Sequence, residues 1–352
     1  MSYFSRLALA PAVAVALSLT AFTASAQDSV TWRVQSHWPQ SSSSFADSLE
    51  YLRDTLDERT EGRLKLELHA AGGLFGADEI FNAVRRGVIQ MGTISPAYAM
   101  GEMETAGIAF GLPAAFENEW EAQYFFKTLG FEDMVREDAA EHGLYYSTDK
   151  IFTNEMVLTA KPETADDFRA LTIRSSGTLQ NYLTDAGAAV SSIPGSELYQ
   201  ALSSGVVDGA HWGAVQGALS MSLYEVARYH VRPPLSIGGI DAFIINQDAI
   251  DALPEDVQQI LYNTLEEQFW RRTNEYIVGE QRALARAQAE HDVEVIELPQ
   301  DVRDQMLQAA QASWQREREK GEKAAAAMDL LDDYLAELGR APASAEEAEA
   351  AE

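Results

Sequence analysis

EIFNAVRRGVIQMG, residues 79–92, and ELYQALSSGVVDGA, residues 197–210, are two versions of one element. Glu, Ala and Gly recur at matching offsets: Glu79, Ala83 and Gly87 in the first copy, Glu197, Ala201 and Gly205 in the second. In the first copy Ile80, Ala83 and Val84 fall on one helical face, and Gly87 follows where a helix C-terminus favours a left-handed residue. The short apolar run after each Gly reads as a strand. The element occurs only twice, far apart in the chain, so this is not a solenoid repeat. It reads as a matching helix–Gly–strand unit in two similar α/β lobes.

The flanking sequence supports that reading. TWRVQSHWP (31–39) is a strand ended by Pro39, and Phe45, Leu49, Leu52 and Leu56 recur at helical spacing, which predicts a helix over 45–60. RLKLELHA (63–70) alternates as a second strand, so the first lobe runs βαβαβ. A second run of this kind begins near Glu155: EMVLTAK and LTIRSS as strands, 177–186 as a helix, AAVSSI as a strand, then the second copy and its strand VVDGAHW. In VRPPLSIGGIDAFIINQ (231–247) the prolines read as a linker and DAFIINQ as a strand. Pro254 opens a helix reaching about Glu290, VEVIEL is a last strand, and 300–338 reads as one charged helix with apolar stripes. The expected organisation is a signal peptide at 1–26, a first lobe from 27–152 and 240–280, and a second lobe plus the C-terminal helix from 153–239 and 281–338. Residues 339–352 read as a disordered acidic tail.

The N-terminus carries the marks of export. Arg6 precedes an apolar run from Leu7 to Phe22, and Ala24-Ser25-Ala26 has the form of a cleavage site, so cleavage is expected before Gln27. The 352 residues hold 55 acidic and 26 basic side chains, a net charge of −29. Removing the signal takes away Arg6 and no acid. Such a charge argues against nucleic acid or an anionic lipid surface as partner. The chain has no Cys, which excludes thiolate catalysis and Cys-ligated metal.

In open α/β sheets ligands sit beyond the carboxyl ends of the strands, so two facing lobes would share one cleft. Arg174, in the apolar strand end LTIRSS, needs a partner for its charge. That partner is either a ligand carboxylate gripped by the guanidinium fork or one of the many acids of the protein itself. Asn154 stands just before the first strand of the second lobe, and Tyr98 just past the strand of the first copy. Trp212 caps a pocket or packs in the core. His211 is a metal ligand, a hydrogen bonder or a buried polar residue. The six His form no HExxH pattern, and GxSxG and the P-loop are absent, so nothing points to an enzyme.

Taken in order, GADEIFNAVRRGVIQMG, LTIRSSG, PGSELYQALSSGVVDGAHW and FIINQDAIDALPEDVQQ resemble the periplasmic solute-binding subunits of TRAP transporters over roughly residues 30–335. WRVQSHWP, SPAYAMG and the Trp after VVDGA bring the chain nearest to the branch that binds 2-oxo and related hydroxy acids. The resemblance implies a two-lobed periplasmic binding-protein fold with hinge strands, a long connecting helix and a cleft that closes on a small carboxylate. The family's Arg falls on Arg174, and Tyr98, Asn154 and Trp212 match further ligand-binding positions. It also implies delivery to a small four-helix and a large multi-span membrane subunit. A sensor for a membrane receptor would use the same fold, and a periplasmic enzyme acting on organic acids is the competing class. A C-terminal helix exchanged between two copies would make a homodimer; the stripe in 300–338 suits this and packing on its own lobes equally. In that branch an acid commonly stands where this chain has His211, helping to hold Na⁺ or Ca²⁺. Histidine is a poor ligand for such hard cations, so no metal and no cofactor is expected, with His211 bonding the ligand directly. Asp241 is the substitute acid, and with Trp212 it would hold a metal if one were bound.

Overall fold

The computed structural model describes residues 29–340; the expected signal peptide and the tail from 341 onward lie outside the described residues. Its strands are β1 (Val30–Gln35), β2 (Leu64–His69), β3 (Met91–Ile94), β4 (Leu144–Leu158), β5 (Thr172–Arg174), β6 (Ala189–Ser191), β7 (Gly209–His211), β8 (Tyr229–Asn246) and β9 (Glu294–Ile296). They form one sheet in the order β2-β1-β3-β8-β4-β7-β5-β6, with β9 on β8. Its two ends are alike. Parallel β2-β1-β3 builds the first lobe and parallel β6-β5-β7 the second.

The repeated element has the same place in both lobes. Helix Ile80–Arg85 leads through Gly87 to β3, and helix Leu198–Ser203 leads through Gly205 to β7. Both glycines are left-handed, with φ of 67° and 73°. A side chain there would be strained, which is why the two sequences coincide at this point. β3 then pairs with β8 and β7 with β4, so each copy sets its strand end beside the centre of the molecule.

β4 and β8 are antiparallel partners from Leu144↔Asn246 to Leu158↔Tyr229, and they run through both lobes. This differs from the sequence reading, which began the strand near Glu155 and took Pro233 and Pro234 for a linker. Between Asn154↔Ser236 and Met156↔Val231 a single residue of β4 lies opposite the segment holding both prolines. They sit in a bulge, where a missing N–H breaks no ladder bond. Asp149 and Gly238 mark two further register shifts, and Gly238 has φ of 92°.

Apolar clusters cover both faces of each lobe. Phe81, Phe125, Phe131 and Ile244 lie on one face of the first lobe, and Trp32, Leu52, Phe243 and Leu261 on the other. In the second lobe Phe168, Ile173, Leu179 and Met306 oppose Leu198, Val207, Leu223 and Ala287. Helix Glu255–His291, 37 residues long, supplies Val257, Leu261 and Leu265 to the first lobe and Ala283 and Ala287 to the second. The expected single helix over 300–338 is two, Gln300–Arg318 and Glu322–Glu337. The break falls at Gly321, where the Glu104 carboxylate fills the space of a Cβ and accepts from the Lys323 amide at 2.9 Å. The first of these helices packs on the second lobe through Val302, Met306 and Ala310. The second packs on the first lobe through Ala324, Met328 and Leu331, so the part of 281–338 beyond Gly321 does not belong to the second-lobe core. Arg340, read as tail, is anchored by Glu121 at 2.6 Å and Glu117 at 3.2 Å.

Glu280 of the long helix lies under the second lobe, its Oε1 accepting from the Gln216 amide at 2.9 Å. Burial, and then the Glu155 charge, push its carboxyl up to about 8. Between its ordinary value near 4.5 and about 8 the unfolded chain sheds this proton while the folded one keeps it. Stability from this group therefore falls as pH rises through that window. Glu280→Gln keeps the acceptor and removes the titration. It should raise the melting temperature relative to wild type at pH 8 much more than at pH 5, by the equivalent of a few kcal/mol on the order of the shift. An equal offset at both pH values in thermal melts would contradict this reading.

Candidate functional site

At the crossing of β4 and β8 a cavity of about 70 Å³ opens between the lobes. On this measure a single water needs about 10–15 Å³, so the space holds more than one water and admits a small molecule. Its lining includes all six residues singled out from the sequence: Tyr98, Asn154, Arg174, His211, Trp212 and Asp241. It also includes His37, Trp38, Phe110, Phe152 and Tyr276, which the sequence reading did not select. His37 and Trp38 follow β1, so the rule that ligands sit beyond strand ends pointed to them. Tyr276, inside a long helix, carries no such signal.

Arg174 ends β5 and is 3% exposed. Its Nε donates to the Ile193 carbonyl at 2.9 Å and its Nη1 to the His211 carbonyl at 2.7 Å. The guanidinium lies over the Trp212 indole, 5.3 Å from the ring centroid. Among the described residues no carboxylate comes within ion-pair distance of it, so the protein supplies no acid partner. Burial lowers its pKa, partly offset by Tyr98, yet a guanidinium stays charged. Tyr98 reaches it from the turn Pro96–Ala99 after β3, in the other lobe. Burial raises the Tyr98 phenol, and the neighbouring Arg174 charge counters it.

His211 is buried at the end of β7. Burial, and then the Arg174 charge, push its imidazole down to about 3, so it is neutral at physiological pH. Its Nε2 lies 3.0 Å from Asn154 Oδ1. Asn154 Nδ2 donates to Ser236 Oγ at 2.8 Å and to the Phe110 carbonyl at 3.3 Å, which leaves Oδ1 to accept from His211 Nε2–H. These two polar side chains are thus committed to each other and to the hinge. Phe110 completes the wall, edge-on to the imidazole at 5.9 Å.

Asp241 is the one acid among the described residues that line the cavity. Its Oδ2 accepts from Lys150 Nζ at 2.5 Å, and its Oδ1 lies 3.3 Å from His37 Nε2. Burial alone would raise its pKa, but Lys150 and His37 hold it below the usual carboxylate range. Lys150 is 1% exposed and also meets Asp149 at 3.2 Å. Its ammonium lies 4.7 Å from the Trp38 ring centroid. The donor set is therefore poor for Na⁺ or Ca²⁺. His211 is a neutral nitrogen already donating, Trp212 offers only its main-chain oxygen, and Asp241 is a single carboxylate with no second acid beside it on the lining. Among the described residues no cluster of three His, Asp or Glu could hold a metal.

A single sheet wound into two lobes, crossed by long strands and a long helix over a small cavity between them, is the architecture of an extracytoplasmic solute receptor. The chain belongs to the bacterial extracellular solute-binding proteins of family 7, DctP, whose model matches residues 35–320; it is a TRAP solute-binding protein. It is 24% identical over 261 residues to a monocarboxylate 2-oxoacid-binding periplasmic protein of Nostoc sp., covering 73% of this chain and 71% of that one. It is 26% identical over 292 residues to the ectoine-binding periplasmic protein TeaA of Halomonas elongata, covering 78% and 80%. Among solved structures, a TRAP periplasmic solute-binding protein of Pseudoalteromonas atlantica with bound sodium and pyruvate superposes with a TM-score of 0.81. The identity is 22%, over 89% of this chain and 95% of that one. One of Colwellia psychrerythraea with bound calcium and pyruvate gives 0.81 at 22%, over 89% and 96%. No helix among the described residues is long and apolar enough to cross a membrane.

The Trp212 indole rests on Gly195, where an added Cβ would stand 2.1 Å from Cη2. Gly195→Ala should push the indole off Arg174 at an overpacking cost of about 1–3 kcal/mol. Tryptophan fluorescence, read against a Trp212→Phe control, should change; an unchanged Trp212 signal would show that the contact does not seat the ring.

Proposed function

We propose that the protein captures a small organic acid in the periplasm, a 2-oxo or 2-hydroxy monocarboxylate, and delivers it to the membrane subunits of a TRAP transporter. The observation that carries this reading is Arg174, a buried guanidinium without an acid partner, facing a cavity of molecular size. A ligand carboxylate supplies the missing charge through two parallel hydrogen bonds. Tyr98 meets the same carboxylate from the first lobe, and Trp212 covers the apolar part. Asn154 and His211 shape the wall and, through Ser236 and Phe110, tie ligand contact to the hinge. Closure is a rotation about β4 and β8 that brings Tyr98 and Arg174 together across the ligand. Two of the solved structures carry pyruvate with sodium or calcium; here the committed His211 and the lone lining carboxylate of Asp241 support binding without a metal.

One observation favours a receptor over an enzyme: the hydroxyl nearest His211 Nδ1, Ser175 Oγ at 3.4 Å, is fully buried and does not line the cavity, so it is out of a ligand's reach. The C-terminal helices rest on their own lobes, which favours the single chain as the binding unit.

Arg174→Ala should weaken binding of the acid by at least about two decades, since breaking a buried ion pair costs on the order of 3–5 kcal/mol. Arg174→Lys keeps the charge, loses the fork, and should fall between the two. Isothermal titration across a panel of short monocarboxylates measures both, with and without EDTA. Unchanged affinity in Arg174→Ala would refute the site, and abolition of wild-type binding by EDTA would refute the metal-free reading.

A further inference from the structure

The two walls of the cavity carry opposite hydrogen-bonding character. On the second-lobe wall stands Arg174, which only donates. On the first-lobe wall stands Asp241, an ionised carboxylate, which only accepts. Its state and orientation are fixed from behind. Lys150 Nζ bridges Asp241 and Asp149, and Asp149 is held by Gln268 Nε2 and Ser48 Oγ, both at 2.8 Å. On the other side His37 Nε2 donates to Asp241, its Nδ1 meets Thr93 Oγ1 at 2.9 Å, and that hydroxyl lies 3.2 Å from Ser36 Oγ. Thr93 Oγ1 donates to Ser36 Oγ, which also accepts from the Trp38 amide, so the hydroxyl that meets His37 Nδ1 is itself held in place. Each Asp241 oxygen thus has one partner from the protein and keeps acceptor capacity for the cavity it lines.

We infer that Asp241, positioned by Lys150 and His37, selects the ligand by accepting a hydrogen bond from a donor on the carbon next to its carboxylate, so that the preferred ligand is a 2-hydroxy acid and not a 2-oxo acid. This rests on the organic-anion reading above and deepens it. Arg174 and Asp241 line the same cavity from opposite walls, so an acid bound at Arg174 presents the substituent beside its carboxylate to the wall that holds Asp241. A 2-hydroxy acid turns its O–H toward Asp241. A 2-oxo acid of the same skeleton has only acceptors, and its carbonyl oxygen would face an acceptor-only carboxylate. A dicarboxylate would face it with a second negative charge. The serines that also line the cavity, Ser42, Ser44, Ser95 and Ser176, rotate to suit either partner and so do not discriminate. Asp241 does not rotate freely, because Lys150 and His37 hold both of its oxygens.

The test is isothermal titration of the mature wild-type chain and of Asp241→Asn with lactate, as each enantiomer, and with pyruvate. Wild type should bind the better lactate enantiomer about tenfold or more tighter than pyruvate, the size of one charge-assisted hydrogen bond. Asn offers a donor as well as an acceptor, so Asp241→Asn should bring the ratio toward one. If that variant does not fold, the wild-type ratio decides alone. Pyruvate bound as tightly as lactate, or tighter, overturns the assignment of Asp241 and leaves the organic-acid receptor standing. Failure of every short monocarboxylate to bind overturns both.

Discussion

β4 and β8 are the constraint on which the molecule turns. Each is long enough to belong to both lobes, and their ladder is the only continuous strand pairing among the described residues that joins the two ends of the sheet. A rigid ladder would fuse the lobes into one block. Three register shifts interrupt it, at Asp149 beside the first-lobe core, at Gly238, and at the proline segment beside the second-lobe core. Bulges bend a strand and re-aim its side chains. Here they fall where Asp149, Lys150 and Asp241 meet at one level of the ladder and where Asn154 meets Ser236 further along. The hinge and the binding site are therefore built from the same residues.

That economy explains the polar character of the hinge. Lys150, Asp149 and Asp241 are buried, and so is Arg272 on the long helix, which reaches Ser48 Oγ at 3.2 Å. Buried charges are stable only when paired and hydrogen-bonded, and these satisfy one another. Arg174 is the exception. Its carbonyl partners neutralise no charge, and desolvation works against its charged form. An anion in the cavity removes that deficit, so closure and ligand capture share one source of free energy. The net charge of −29 does not oppose this. Acids spread over the surface are screened within about 8–10 Å at physiological salt, whereas the guanidinium acts at contact distance in a desolvated space.

Much of this was legible in the sequence, and the reason differs from residue to residue. Gly87 and Gly205 announced the duplicated unit because only a left-handed position makes glycine worth keeping at both places. Arg174 was legible because a charge at an apolar strand end demands a partner, although its environment alone decides between an acid of the protein and one from outside. The first half of β4 was not legible. LYYSTDKIFTN has no two-residue alternation, because a strand buried on both faces that also carries an ion network obeys neither the apolar nor the amphipathic pattern. Lys150 was missed for the same reason: its partners, Asp241 and the Trp38 ring, come from distant segments. The break at Gly321 was hidden because it depends on Glu104, a residue from the other end of the chain.

Charge across the cavity also bears on how the ligand is held. Lys150 stands between two carboxylates, Asp149 and Asp241, so this group carries one net negative charge behind the first-lobe wall, and His211 carries no proton to spare. Arg174 carries the positive charge of the opposite wall, and a carboxylate bound there pairs with a cation that has no acid partner among the described residues. The Lys150 ammonium, fixed between two aspartates, stands behind Asp241 and holds it in place, while His211 is committed to Asn154.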